Sequence, residues 1–459
     1  MRACINTQTP LVIFNPNRID IIERHQTLNK PLDVQLLTEG VDYRLAPGGV
    51  TKMVFHLVER MMKDGPLREA HWVSLNTNGP PEAVLDGVML HNVRLPTERL
   101  RGYRQAKEVM WNVLHGLADR ETVPSLQNLD GGVLRDYIYY NRASAETMAR
   151  LDNRYDCDFF FIHCFQQLLV GHFLSTPKPK IFRWHVPFDD TVVPDSWREF
   201  LLAFLNSYET IIVSTRKYQE ALRRFGYQGR TCYVYPYLDP SLYTRPSWSD
   251  LRDFSTRFGI EDDNRMILVV ARMTPDKGQD RAIDAFSKFS SDRSDTKLVL
   301  VGDGTFSSSK EGLGLSKGAI WLEKLKKQAE QLGVEERVIF TGYADQRTLN
   351  AAYQRCDLTL LPSVAEGFGL VVVESWLFRK PTVVTERAGI IELIQDGQNG
   401  LVVDPDDVES IADKLVYLLD NGDEAERIGA NGLITSERCS IRQGEDMVGE
   451  ILFGLRQPT

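Results

Sequence analysis

The chain reads as α/β, with two doubly wound Rossmann-like domains facing a common cleft. Three observations predict this. At 459 residues the chain is too long for one ordinary core. Apolar strands alternate with single amphipathic helices, the pattern of a parallel sheet covered on both faces. A proline-bearing stretch without helical period, Pro236–Ser249, separates two such halves. The expected domains are 1–240, 241–435, and a closing segment 436–459 whose helix near Gly444–Leu455 returns to the first domain.

In the second half, strands are predicted at Met266–Ala271, Leu298–Gly302, Val338–Thr341, Leu358–Leu361, Pro381–Thr385 and Gly400–Val403. Ala282, Ile283, Ala285, Phe286 and Phe289 share one helical face, and Trp321–Leu332 and Val408–Leu419 read the same way. The first half keeps the alternation with longer insertions. Its strands are predicted at Leu11–Phe14, Trp72–Leu75, Phe159–His163, Ile181–His185, Ile211–Ser214 and Cys232–Pro236. Val50, Met53, Val54, Leu57, Val58 and Met61 lie on one face of a helix over Val50–Met61.

Composition narrows the function. Apolar residues make up 42% and charged residues 25%, as in a water-soluble globular protein. A formal net charge of -9 and the lack of a basic tract argue against nucleic acid. No apolar run reaches the roughly 20 residues of a membrane span. The N-terminus Met1–Asn6 has no signal-peptide stretch. Cys4, Cys157, Cys164, Cys232, Cys356 and Cys439 are scattered, without a zinc spacing, which is expected of reduced thiols in a cytoplasmic protein.

The chemistry concentrates in Glu366-Gly367-Phe368-Gly369-Leu370-Val371-Val372-Val373-Glu374, between an apolar strand and an apolar helix. Glycines at such a turn let a ligand approach the backbone. The helix N-terminus presents bare N–H groups and positive partial charge to an anion. Carboxylates there suit the hydroxyls of whatever the phosphate carries, so the pattern predicts a sugar nucleotide. Arg272 and Lys277 follow the strand Met266–Ala271 and suit the growing charge of a diphosphate leaving group. No metal is implied, since these cations and helix N-termini can do a metal's work; no cofactor is expected beyond the co-substrate. Pro47-Gly48-Gly49 opens the first long helix, where N–H groups can meet a phosphate. His163 and His185 each close a predicted strand and could bind a sugar hydroxyl or offset charge.

These residues resemble a known group. The second half resembles retaining glycosyltransferases of the GT-B architecture, through the Glu366–Glu374 segment and the Arg272 and Lys277 pair. The first half resembles the trehalose-6-phosphate synthases, including the glucosylglycerol-phosphate synthase branch. The carrying pieces are Asn17-Arg18-Ile19, Pro47-Gly48-Gly49, Leu95–Trp111, Ile162-His163 and His185-Val186-Pro187-Phe188. The resemblance implies that Gly49 gives its N–H to the distal phosphate, while Arg272 and Lys277 hold the diphosphate. It implies that Glu374 takes the ribose, and that Glu366 with the N–H groups of Phe368, Gly369 and Leu370 holds the hexose. His163 would lie by the reacting face, and Arg18, Tyr103, Trp111 and His185 at the acceptor. The chain departs from the family at Cys164-Phe165-Gln166, at Glu366-Gly367-Phe368-Gly369, and at the Ser/Gly-rich stretch Gly304–Ile320.

The resulting expectation is a retaining hexosyltransferase moving glucose or mannose from a nucleoside-diphosphate sugar to a small phosphorylated acceptor. Its products would be compatible-solute glycosides such as trehalose phosphate or glucosylglycerol phosphate. A disaccharide phosphorylase and an inactive sugar-phosphate sensor remain alternatives. The partners are a small-molecule donor and acceptor, with a homo-oligomer left open. Gly304–Ile320, with Lys310 and Lys317, is expected to be a mobile loop that selects an anionic acceptor.

Overall fold

The structure is a computed structural model that describes residues 1–18, 31–46, 49–118, 132, 134–303 and 313–454. Ile19, Pro47, Gly48, and 304–312 with Ser307 and Lys310 lie outside the described residues, as does the side chain of Lys317. Contacts divide the chain into two compact units, Met1–Val234 with Gly444–Thr459, and Tyr235–Gln443.

The strands of the first unit are β1 (Arg2–Thr7), β2 (Val12–Phe14), β3 (Leu32–Asp33), β4 (Tyr43–Leu45), β5 (Glu69–Leu75), β6 (Glu82–Leu85), β7 (Val88–Val93), β8 (Phe159–His163), β9 (Lys180–Arg183), β10 (Thr210–Val213) and β11 (Arg230–Tyr233). Among the described residues one sheet runs β11-β10-β9-β8-β1-β5-β7-β6-β3. It is parallel except where β6 pairs with β7. One sheet face sends Phe160, Ile162, Phe182 and Trp184 into a core with Tyr103, Met110, Tyr137, Tyr140 and Met148 from the helices Thr97–Leu114 and Arg135–Tyr155. The helix Gly49–Lys63 buries Met53, Val54, Leu57, Val58 and Met61, as its spacing predicts, but leaves Val50 of the same expected face exposed. Arg60 on it pairs with Glu445 of the last helix, Ile441–Gly454.

The second unit contributes β12 (Arg265–Val270), β13 (Thr296–Val301), β14 (Val338–Gly342), β15 (Leu358–Leu361), β16 (Thr382–Thr385) and β17 (Leu401–Val403). They form a wholly parallel sheet in the order β14-β13-β12-β15-β16-β17. Ile267, Val269, Leu298 and Leu300 pack on Ala282, Ile283 and Phe286. Met266, Leu268 and Val299 pack with Phe254, Ala351 and Tyr353. Alternate residues thus enter separate cores, so these strands read as continuous apolar runs. The chain winds outward from β12 to β14, then resumes at β15 beside β12 and winds the other way. The switch point lies between β12 and β15, where such sheets bind ligands at the carboxyl ends of their strands. The helix Trp248–Phe258 starts in the expected linker, fixed by a capping box of Ser247 and Asp250, and stops at left-handed Gly259.

Several expectations are corrected. Val12–Phe14 pairs only with β4, outside the main sheet, and the unforeseen β1 takes the centre. β1 is not a plain apolar run. It buries Asn6 by donating from Nδ2 to the Val73 carbonyl at 3.0 Å. Strand β9 ends at Arg183, so His185 lies in the loop beyond it. The helix expected over Trp321–Leu332 runs Leu313–Gln331, so the latter part of the expected loop Gly304–Ile320 is helical.

Candidate active site

The loops that leave β12 and β15 are tied together by backbone. The Asp276 carbonyl accepts from the N–H groups of Val364 and Ala365 at 3.0 and 3.4 Å. This approach requires Gly278, which has φ +67°, and a Cβ there would collide with the Pro362 carbonyl oxygen. The close approach brings the expected residues together. Lys277 Nζ lies 3.0 Å from Glu366 Oε2 and 3.4 Å from Asp276 Oδ2. It also donates to the Ala365 carbonyl at 3.5 Å. Arg272 reaches Asp276 at 4.0 Å. Burial lowers the Arg272 pKa, and the carboxylates of Asp276 and Glu366 oppose that shift. Two cations and two carboxylates therefore share one partly buried patch at the switch point. Asp276, in the same turn as both cations, was not singled out in the sequence, because its burial arises only when the two loops meet.

The turn Glu366-Gly367-Phe368-Gly369 leads into the helix Leu370–Leu377. Gly369 has φ +101°, and a Cβ there would stand 2.8 Å from Leu361 Cδ2, so the sharp entry needs glycine. The Phe368 carbonyl accepts from Ile390 N–H at 2.8 Å, which holds the turn. Glu374 lies within that helix. Its Oε1 accepts from Tyr243 at 2.9 Å and its Oε2 from Tyr353 at 2.7 Å. Neither tyrosine was foreseen, since they lie 131 and 21 residues from Glu374 in the chain.

In the first unit, His163 Nδ1 and His185 Nε2 share a hydrogen bond of 3.0 Å. The rings stack 5.3 Å apart. Burial lowers both pKa values well below the ordinary range, and Arg183 pushes both further down. The two imidazoles are thus neutral at physiological pH and bond through one proton. A neutral imidazole can hydrogen-bond a hydroxyl but cannot offset charge, so of the two expected roles only the first is compatible with this pairing. Arg183, buried beside them on β9, was not predicted.

The remaining first-unit residues are dispersed. Gly49 is the first residue of its helix, and a Cβ there would meet nothing within 4 Å. Arg18 is paired with Asp42 at 2.8 Å. Hydrogen bonds from Thr38 N–H and Arg18 lower the Asp42 pKa. Trp111 is half-buried and stacks on His115 at 3.7 Å. Tyr103, expected at the acceptor, is 1% exposed and packs against Tyr137 and Tyr140. It is a core residue, because the helix Thr97–Leu114 turns that face toward the sheet.

Residues 252–434 match the family described as glycosyl transferases, group 1. An uncharacterized glycosyltransferase of Methanocaldococcus jannaschii is 31% identical over 223 residues, 48% of this chain and 53% of that protein. A trehalose synthase of Thermococcus litoralis is 29% identical over 299 residues, 64% of this chain and 68% of that protein. This chain thus spans about half the length of the first relative and about two thirds of the second. Among solved structures, a UDP-forming α,α-trehalose-phosphate synthase from Burkholderia xenovorans superimposes with a TM-score of 0.74 at 14% identity, covering 100% of this chain and 99% of that one. No helix among the described residues is long and apolar enough to cross a membrane. The chain has the GT-B fold, and its residues 252–434 match the group 1 glycosyl transferases.

Proposed function

We propose that the protein is a retaining hexosyltransferase, moving glucose or mannose from a nucleoside-diphosphate sugar to a small phosphorylated acceptor. The observation that carries this reading is the patch at the switch point, where Arg272 and Lys277 stand with Glu366 and Asp276. A diphosphate gains negative charge as its bond to the anomeric carbon breaks. Two fixed cations in a partly buried site stabilise that charge more than they stabilise the bound donor. When the donor binds, the charge of Lys277 shifts from neutralising Glu366 and Asp276 to serving the phosphate as well. Glu366 is then placed to accept from a hexose hydroxyl, and Glu374 from the ribose. The N–H groups of Phe368, Gly369 and Leu370 add hydrogen-bond donors at the helix start.

Retention follows from attack on the face that the diphosphate leaves. The anomeric carbon–oxygen bond breaks, a bond to the acceptor oxygen forms on the same face, and the acceptor proton passes to a departing phosphate oxygen. Gly49, Arg18, Trp111, His163 and His185 take the roles that the resemblance implies; the neutral histidines act as hydrogen-bond partners.

A second reading, with a neutral sugar as acceptor, has an observation in its favour. Arg18 already holds an acidic partner, Asp42, and a relative is named trehalose synthase. The test is to present UDP-, GDP- and ADP-hexoses with glucose, glycerol and their phosphates, and to identify products by mass and anomeric configuration by NMR. An α product from an α donor and a phosphorylated acceptor supports the proposal. A β product overturns retention, and a faster reaction with free glucose or glycerol favours the second reading.

A further inference from the structure

The carboxylate of Glu374 is held from two sides by segments distant in sequence. Tyr353 lies on the helix Gln346–Arg355, is fully buried, and stacks on Phe378 at 5.6 Å with an interplanar angle of 13°. Its hydroxyl donates to Oε2 at 2.7 Å. Tyr243 closes the turn Pro240–Leu242, which Asp239 caps, and its hydroxyl donates to Oε1 at 2.9 Å. The two segments are joined by Asn350 Nδ2 donating to the Leu242 carbonyl at 3.0 Å. Tyrosine and carboxylate positions are thus set by the same packing.

We propose that Tyr243 and Tyr353 are positioning residues that orient Glu374 to read a cis-vicinal diol, and so select a ribonucleotide over its 2′-deoxy counterpart. The inference rests on the proposed nucleotide-sugar reading of this site. One phenol bonds each carboxylate oxygen, so the plane of the group is fixed. A carboxylate has about four acceptor positions, so an oxygen that takes one phenol can also take a sugar hydroxyl. A fixed plane presents the two oxygens as a pair, matching adjacent hydroxyls on a ribose. Burial first, then the carboxylate beside them, raises the pKa of both phenols, so both remain donors across the working pH range.

The experiment measures binding of UDP, ADP and GDP by calorimetry on the full chain, then repeats it with the 2′-deoxy form of the tightest. Tyr243→Phe and Tyr353→Phe keep the rings and lose only the hydroxyls. Each is expected to weaken the ribonucleotide about tenfold, the scale of one hydrogen bond to a charged group, and the 2′-deoxy form by less than about twofold. The preference for ribose then collapses, and the donor KM rises more than kcat falls. Equal weakening of both nucleotides, unchanged affinity, or tighter binding overturns the inference. Glu374→Gln separates the two levels. If it weakens the nucleotide while the tyrosine variants bind normally, only the positioning role fails. If it leaves the affinity unchanged, or no diphosphate binds the wild type, the nucleotide reading fails and this inference falls with it.

Discussion

In the proposed reading Lys277 and Arg272 stabilise the leaving group, and each is already engaged with carboxylates in the folded unit. Replacing either with alanine should lower kcat by about a hundredfold or more, the usual cost of losing a preorganised charge stabiliser. Steady-state rates, with circular dichroism as the folding control, check this; wild-type rates in both variants would remove the diphosphate assignment. Glu366 and Glu374 should separate by function. Glu374→Gln is expected to weaken binding of free nucleoside diphosphate, whereas Glu366→Gln should mainly reduce turnover, because Glu366 shares Lys277 at the turn and Glu374 lies along the helix. Titration of both variants with the diphosphate decides it, and the reverse pattern exchanges the two roles. These four residues were legible because glycine-flanked charges after apolar strands carry a local signal. Tyr243 and Tyr353 were not, since nothing local marks a residue whose partner arrives from a distant segment.

At the level of elements, the turn after β12 depends on Gly278. Gly278→Ala would force a side chain onto the Pro362 carbonyl at positive φ. A loss of about 2 kcal/mol or more is expected, read from the urea midpoint. Activity should fall further than stability, because the same turn sets Lys277 against Glu366. A second element lies in the first unit, at the starts of β5, β6 and the neighbouring β7. There Glu69, His71, His91 and Glu82 form a series whose two histidines are buried and whose glutamates are partly exposed, with successive gaps of 3.2, 3.1 and 3.5 Å. Arg2 pairs with Glu69, Arg154 pairs with Glu82, and the Tyr155 ring lies against His71. Burial, then His71 and Arg154, lowers the His91 pKa to about 3. Burial lowers that of His71 as well, against the pull of Glu69. Because the folded pKa lies below the unfolded one, the unfolded chain binds the proton first as pH falls. Stability contributed by the neutral histidine is therefore full above about pH 6.5 and is lost toward pH 3, at up to about 1.4 kcal/mol per pH unit. Urea unfolding at pH 7, 6 and 5 should show this slope, and His91→Gln should flatten it; equal slopes in both proteins would show that His91 is not the coupled group. The strands β6 and β7 themselves had a readable signal. Asp86 and Gly87 between them both have positive φ, the preference of a tight hairpin turn.

For the whole molecule, the proposed function has the charge needed for diphosphate departure supplied by side chains that the fold brings together. Activity is therefore expected to persist after treatment with EDTA, measured as product formed per minute with and without added magnesium or manganese. Silencing by EDTA and rescue by either metal would show a different leaving-group strategy. The second unit was readable nearly strand by strand because a parallel sheet buried on both faces leaves unbroken apolar runs, such as Met266–Val270. The first unit was less so. Its central strand, β1, mixes Arg2, Asn6 and Thr7 with apolar residues, and Trp72 donates to Thr7 Oγ1 at 2.9 Å. The helix Arg135–Tyr155 buries Asp136, Asn141 and Ser144 along with its apolar face, which blurs the helical period. By itself the sequence determined the α/β alternation and the chemical types of the residues in the proposed donor site, because these rest on local spacing and on turns that only glycine permits. Only the tertiary structure decided which of those residues meet: Lys277 with Glu366 across 89 positions, Tyr243 with Glu374 across 131, and His163 with His185 as a neutral pair. Hydrogen bonds and pKa values depend on distance and burial, and both are set when strands from distant parts of the chain become neighbours in one sheet.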